Sequence, residues 1–162
     1  MKRSSWFTII LIAVLCAGLI IARSAGKPPL TDEEQIHSLL VKGQTAMEKK
    51  DLKSAMQCIS RSYKDPGGVK FEQLRVQAIQ AFRQEGKYDV ILEATSVKLD
   101  GEQATVHATI TVGMVSRGAM HPLFSRPITI GVAKERSMHW LFIPAKSWKI
   151  TSIEGAPIDM GD

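Results

Sequence analysis

One stretch constrains the fold more than any other: residues 104–115, ATVHATITVGMV. Ala104, Val106, Ala108, Ile110, Val112 and Met114 fall on one side, and Thr105, His107, Thr109 and Thr111 on the other. A period of two sustained over this length, with β-branched residues at many positions, predicts a long half-buried strand. A strand with one apolar face has to cover that face with something. The rest of the chain is therefore read as what packs against it. With 162 residues there is room for a single domain and little else.

The N-terminus carries a second strong signal. Lys2 and Arg3 precede residues 6–22, WFTIILIAVLCAGLIIA, which contain no charge. A secretory h-region has roughly 7 to 15 apolar residues and a spanning helix roughly 17 to 25, so this segment sits at the boundary. Trp6 and Arg23 suit the two interfaces of a permanent span. Ala22 and Ser24 would equally suit the −3 and −1 positions of a signal peptidase site. The expectation is an uncleaved single-pass anchor, N-terminus in the cytoplasm, with the domain on the periplasmic side of a bacterial inner membrane. The alternatives are secretion to the periplasm after cleavage, or a buried core helix, which would have to be apolar all round. Cys16 is not a lipidation site, because Leu15 stands where a lipoprotein signal has a small residue.

The formal charge of +5 has to be located before it is read. Four of the 21 basic residues precede Pro28, and all 16 acidic residues follow Pro29, leaving 17 basic against 16 acidic residues in the remainder. The basic character flanks the hydrophobic segment and the domain is nearly neutral, which argues against a nucleic-acid binder. Cys16 and Cys58 fall in different regions and cannot form a disulfide framework; Cys58 reads as a buried small hydrophobe.

Taken in order, residues 1–25 are the anchor or signal segment, 26–30 a stiff linker held extended by two prolines, 31–155 the domain and 156–162 a tail. Thr31 and Glu34 form a capping box, with Asp32 and Glu33 in the first turn of a helix reaching about Lys50. Its stripe is Ile36, Leu39, Leu40, Ala46 and Met47. Asp51 caps a short second helix carrying Leu52, Ala55, Met56 and Ile59. Residues 60–68, SRSYKDPGG, break the pattern. Phe71, Leu74, Ala78, Ile79 and Phe82 mark a third helix ended by Gly86. Beyond it come a strand over 88–99, an Asp100-Gly101 turn, the 104–115 strand, a loop over 116–127, a strand from Ile128 extending bent toward Ile143, a tight turn over 144–147 and a last strand over 148–153.

Three helices, a tyrosine-containing break after the short second one, and a meander ending in Trp148-Lys149-Ile150 resemble the nuclear transport factor 2-like superfamily, over residues 31 to about 155. The cues are the first helix, the D-L-x-x-A-M run at 51–56, Tyr63 and Trp148-Lys149-Ile150. The resemblance implies an α+β fold: three N-terminal helices packed on a curved, mostly antiparallel sheet, preceded here by the N-terminal hydrophobic helix. It also implies a conical, mainly apolar pocket between helices and sheet. The superfamily holds isomerases, polyketide cyclases and non-catalytic membrane-anchored modules, so the fold constrains function poorly.

The apolar phase assigns Val90, Leu92, Val106, Ala108, Ile110, Ile130, Val132, Trp148 and Ile150 to the inner face of the sheet. Glu93, Thr95, Thr105, His107, Thr109 and Thr111 go to the outer face. No carboxylate or histidine then points into the cone, as an isomerase site would need. Glu93 and His107 lie near one another outside it, an acid–base pair on one reading and a solvated or dimer-forming face on the other. Tyr63, Tyr88, Trp140 and Trp148 are the candidates for lining the cone and meeting a small apolar ligand; ordinary core packing is the competing reading. Arg117, His121 and Arg126 are placed in a long loop. His37, His107, His121 and His139 have no zinc-ligand spacing, and no phosphate loop, dinucleotide fingerprint or nucleophile elbow is present. Neither metal nor cofactor is expected. The sequence reads as a non-catalytic, membrane-tethered extracytoplasmic binding or assembly module, with a homodimer through the outer sheet face. The alternative is a small-molecule enzyme of the isomerase or cyclase type.

Overall fold

The computed structural model describes residues 30–116, 119–138 and 144–155. The hydrophobic segment 6–22 and Trp140 lie outside the described residues. Among those described, no helix is long and apolar enough to cross a membrane. Three helices precede four strands: α1 (Asp32–Glu48), α2 (Leu52–Cys58), α3 (Phe71–Arg83), β1 (Lys87–Asp100), β2 (Gln103–Ser116), β3 (Ala119–Met138) and β4 (Pro144–Glu154). The strands form one antiparallel sheet in the order β1-β2-β3-β4.

Local chemistry explains the helix limits. Three carboxylates, Asp32, Glu33 and Glu34, occupy the first turn of α1, where exposed N–H groups favour negative charge. Asp51 caps α2 by accepting from the Ser54 backbone N–H at 3.1 Å and the Ser54 hydroxyl at 2.6 Å. The Lys70 N–H donates to Gln73 Oε1 at 2.9 Å at the start of α3. After α3 the chain turns at Gly86, whose φ of 100° is in the left-handed region. A Cβ there would also lie 2.8 Å from Met114 Sδ, so both conformation and space call for glycine.

The inner face is built by the alternation read from the sequence. Tyr88, Val90, Ala104, Val106, Ala108, Val112, Ile128, Ile130, Val132, Trp148 and Ile150 are buried. Against them pack Ile36 and Leu40 of α1, Cys58 of α2, Tyr63 and Phe71. Three bulges interrupt the ladders, with the unpaired residue at Thr95 in β1 against β2, Leu123 in β3 against β2, and Thr151 in β4 against β3. Each bulge adds local bend and twist to its strand. The β4 edge is partly covered by the segment after α2. Ile59 bridges Ile150 in parallel, the Ser60 N–H donates to the Ile150 carbonyl at 2.8 Å, and the Lys64 N–H donates to that of Thr151 at 3.0 Å.

Two expectations are corrected. Most of the loop placed over 116–127 is the first half of β3, paired with β2 from Ser116↔Ala119 to Thr109↔Pro127. Pro122 and Pro127 suggested a loop, but β4 pairs with β3 only from Thr129 onward. The first half of β3 thus has one strand neighbour, and a proline lacking its N–H is tolerated on such an edge. His121 and Arg126 accordingly sit on a strand. The turn placed over 144–147 is the start of β4, where Ala145, Lys146 and Ser147 pair with Ser137, Arg136 and Glu135.

Candidate functional site

The three described aromatic candidates do not share one environment. Tyr63 and Trp148 belong to the main core cluster, with Ile36, Phe71, Ile130 and Ile150 among its members. Tyr88 belongs to a second cluster with Val90 and Val112, onto which Met47, Phe82 and Phe124 pack.

The polar atom of each described ring is committed within the protein. Trp148 Nε1 donates to Asp32 Oδ1 at 3.3 Å. Lys134 Nζ holds the same carboxylate at 2.7 Å and stands 5.3 Å from the centre of the Trp148 ring. The Lys134 hydrogen bond is the main reason the Asp32 carboxyl lies below its ordinary value, with the Trp148 bond adding to it. This group fastens the first residue of α1 to β3 and β4. Sequence reasoning missed it. The available signal was Lys134 in the apolar phase of its strand, two residues beyond Val132.

The Tyr63 hydroxyl is pushed up to about 12, first by burial and then by the nearby Asp65 carboxylate, against a lowering contribution from a hydrogen bond to the Ile153 backbone. Asp65 is buried, and its Oδ1 accepts from the Val69 N–H at 2.8 Å. That bond, with the Gly68 N–H on the Asp65 carbonyl, shapes the DPGG break beside Tyr63. The Tyr88 hydroxyl donates to the Ala81 carbonyl at 2.9 Å, with Gln84 Oε1 at 3.1 Å, and so closes the end of α3. Burial raises its pKa as well. Cys58 is buried, its thiol pushed up by desolvation, and its Sγ lies 3.4 Å from the Ser54 carbonyl.

Two concavities lie elsewhere, and none of Tyr63, Tyr88 and Trp148 is among the described residues that line them. One, of about 240 Å³, is a wedge between α1 and β1 lined by His37, Leu40, Val41 and Gln44 at helical spacing and by 92–94 of β1, where the first bulge begins. The other, of about 460 Å³, opens on the outer face around His107 and Thr129.

The outer-face residues fall into cross-strand rows. Glu93 stands opposite Thr109, whereas His107 stands between Ser96 and Thr129. His107 Nδ1 is 3.3 Å from Thr129 Oγ1, and Thr111 Oγ1 is 2.8 Å from Ser125 Oγ. The ring's hydrogen bond thus goes to Thr129, and Glu93 sits in the neighbouring row. At the β4 edge the buried Ser60 hydroxyl bonds Glu135 and, at 2.7 Å, Ser62. Among the described residues, no group of three or more His, Cys, Asp or Glu could hold a metal ion.

No protein-family model matches the chain, and comparison with curated proteins returns no match. Solved structures do match. A protein of unknown function with a cystatin-like fold from Nostoc punctiforme aligns over 76% of this chain and 90% of its own, at 16% identity and a TM-score of 0.58. Aln2 from a Streptomyces species aligns over 78% and 91%, at 11% identity and a TM-score of 0.64. A candidate dehydratase of the nuclear transport factor 2-like family from Streptomyces avermitilis aligns over 75% and 93%, at 15% identity and a TM-score of 0.54. At such identities the likeness defines the fold: a cystatin-like α+β domain of the nuclear transport factor 2-like type.

Proposed function

We propose that the chain is a non-catalytic binding or assembly module, tethered to the bacterial inner membrane by residues 6–22 with its domain on the periplasmic side. The observation that supports this most is the state of the rings between helices and sheet. Trp148, Tyr63 and Tyr88 are buried, and each hydrogen-bonding atom is engaged by Asp32, the Ile153 backbone or the end of α3. A catalytic interior needs an acid or base aimed at a substrate in an apolar space. The polar side chains of β2 that could serve, Thr105, His107, Thr109 and Thr111, lie on the other face of the sheet. Binding then belongs to the surfaces, and a homodimer through the outer face is part of this reading. The Streptomyces avermitilis neighbour, described as a candidate dehydratase, keeps a second reading in view: an enzyme working in the cone.

The test is a titration of the full chain in membrane vesicles with a neutral naphthalene probe, read by tryptophan emission. No saturable change supports a filled interior. A saturable micromolar response that Trp148→Phe abolishes would overturn it, as would an isomerase or cyclase turnover lost on replacing an inner-face residue.

A further inference from the structure

The outer-face concavity has a chemistry of its own. Its volume is about 460 Å³, and its lining includes Thr95, His107, Thr109, Pro127, Thr129 and Glu154. Three backbone irregularities and contacts shape it. The β1 bulge leaves Thr95 without a register partner, and its hydroxyl donates to the His107 carbonyl at 2.9 Å. Thr129 holds His107 through Nδ1, which leaves the other ring nitrogen for a ligand. After Glu154 the chain turns at Gly155, whose φ is 88°, and a Cβ there would stand 2.9 Å from the Pro127 carbonyl oxygen.

Among the described residues, the lining has one carboxylate, one imidazole and three hydroxyls, and neither lysine nor arginine. A phosphate or carboxylate ligand would face Glu154 with no cation in the lining to offset it. A purely apolar ligand would strip water from five polar groups and give nothing back. A ligand dense in hydroxyls meets both conditions, since each of its O–H groups donates and accepts. Neighbouring strands place these side chains about 5 Å apart, so they can reach hydroxyls at non-adjacent positions of one six-membered ring. Pro127 offers an apolar surface for ring C–H groups, and the volume falls in the range of small-ligand sites, roughly 300 to 1,000 Å³.

We propose that this concavity binds a saccharide unit, with Glu154 accepting from ligand hydroxyls and His107 and the threonines completing the hydrogen bonds. Because it opens on the face assigned above to a homodimer, sugar and second copy compete. Saccharide binding therefore favours the monomer.

The experiment is saturation-transfer nuclear magnetic resonance on the full chain in a sugar-free detergent, with methyl glucoside as the probe and cyclohexanol and inorganic phosphate as controls. The expected result is transfer to the glucoside ring protons and none to cyclohexanol. Phosphate in excess should leave the signal unchanged. Glu154→Gln and His107→Ala should each weaken binding about tenfold with an unchanged circular dichroism spectrum. No transfer to the glucoside would overturn the proposal, and so would transfer that survives both substitutions or competition by phosphate. Sedimentation separates this from the assembly reading. A dimer that glucoside does not dissociate refutes the saccharide site and leaves the homodimer standing. Sugar binding by a chain that is monomeric throughout refutes the homodimer and leaves the site.

Discussion

Replacing Trp148 with alanine tests directly how the interior is used. Trp148 is 3% exposed and packs in the main cluster with residues of α1, β3 and β4. A buried indole removes on the order of 150 to 250 Å² from water. At about 25 cal/mol per Å² this gives roughly 4 to 6 kcal/mol, and truncation of a packed Trp or Phe to alanine typically costs about 3 to 5 kcal/mol. We expect a loss in the upper half of that range. In a chain starting at Pro29, about 130 residues should suffice to fold alone. Urea unfolding should then show a lower midpoint with an unchanged slope, and the melting temperature should fall by roughly 10 to 20 °C. Trp148→Phe keeps a packed ring and loses about 40 Å² of area, so its area cost is about 1 kcal/mol. It also deprives Asp32 of one donor and leaves Lys134 in place. If Trp148→Ala costs under about 1 kcal/mol, the side chain is not closely packed and the filled-interior argument fails.

Tyr63 predicts an alkaline limit. Its hydroxyl ionises near 12 in the folded protein and near 10.0 when unfolded, so the folded form binds the proton more tightly. Stability is fully present below pH 10 and falls as pH rises through 12; Tyr63→Phe should flatten that fall in unfolding curves measured across this window. At the acid end the Asp32 pKa is lowered, so its contribution is present above about pH 3.8 and is lost as pH falls; Asp32→Asn should remove this acid dependence. For the tether, the full chain should stay in the membrane fraction after carbonate washing and begin at Met1, whereas a soluble species starting at Ala25 would establish cleavage. Thr109→Lys should give a monomer with an intact fold; a wild type already monomeric at high concentration removes the dimer from the proposed function.

The sequence by itself determined the three helices, the central strand and the face each of its residues occupies over 104–112. Three amphipathic stripes specified three helices, and the alternation at 104–112 put Val106 and Ala108 inside and His107 outside. Burial decides those positions one residue at a time, so local pattern suffices. Even Asp51 was legible, because a cap works within one turn of chain. Tertiary structure decided what no local pattern carries. Pro122 and Pro127 imply a loop until one knows that only β2 flanks that half of β3. The Asp32–Lys134–Trp148 group joins positions more than a hundred residues apart along the chain, and its partners become mutual only when α1 lies over the β3–β4 pair. The outer concavity depends on a bulge at Thr95 and on the register that brings His107, Thr129 and Glu154 into one row. A bulge shifts side chains by one residue without changing which residue types precede or follow it, so composition and period leave its place open.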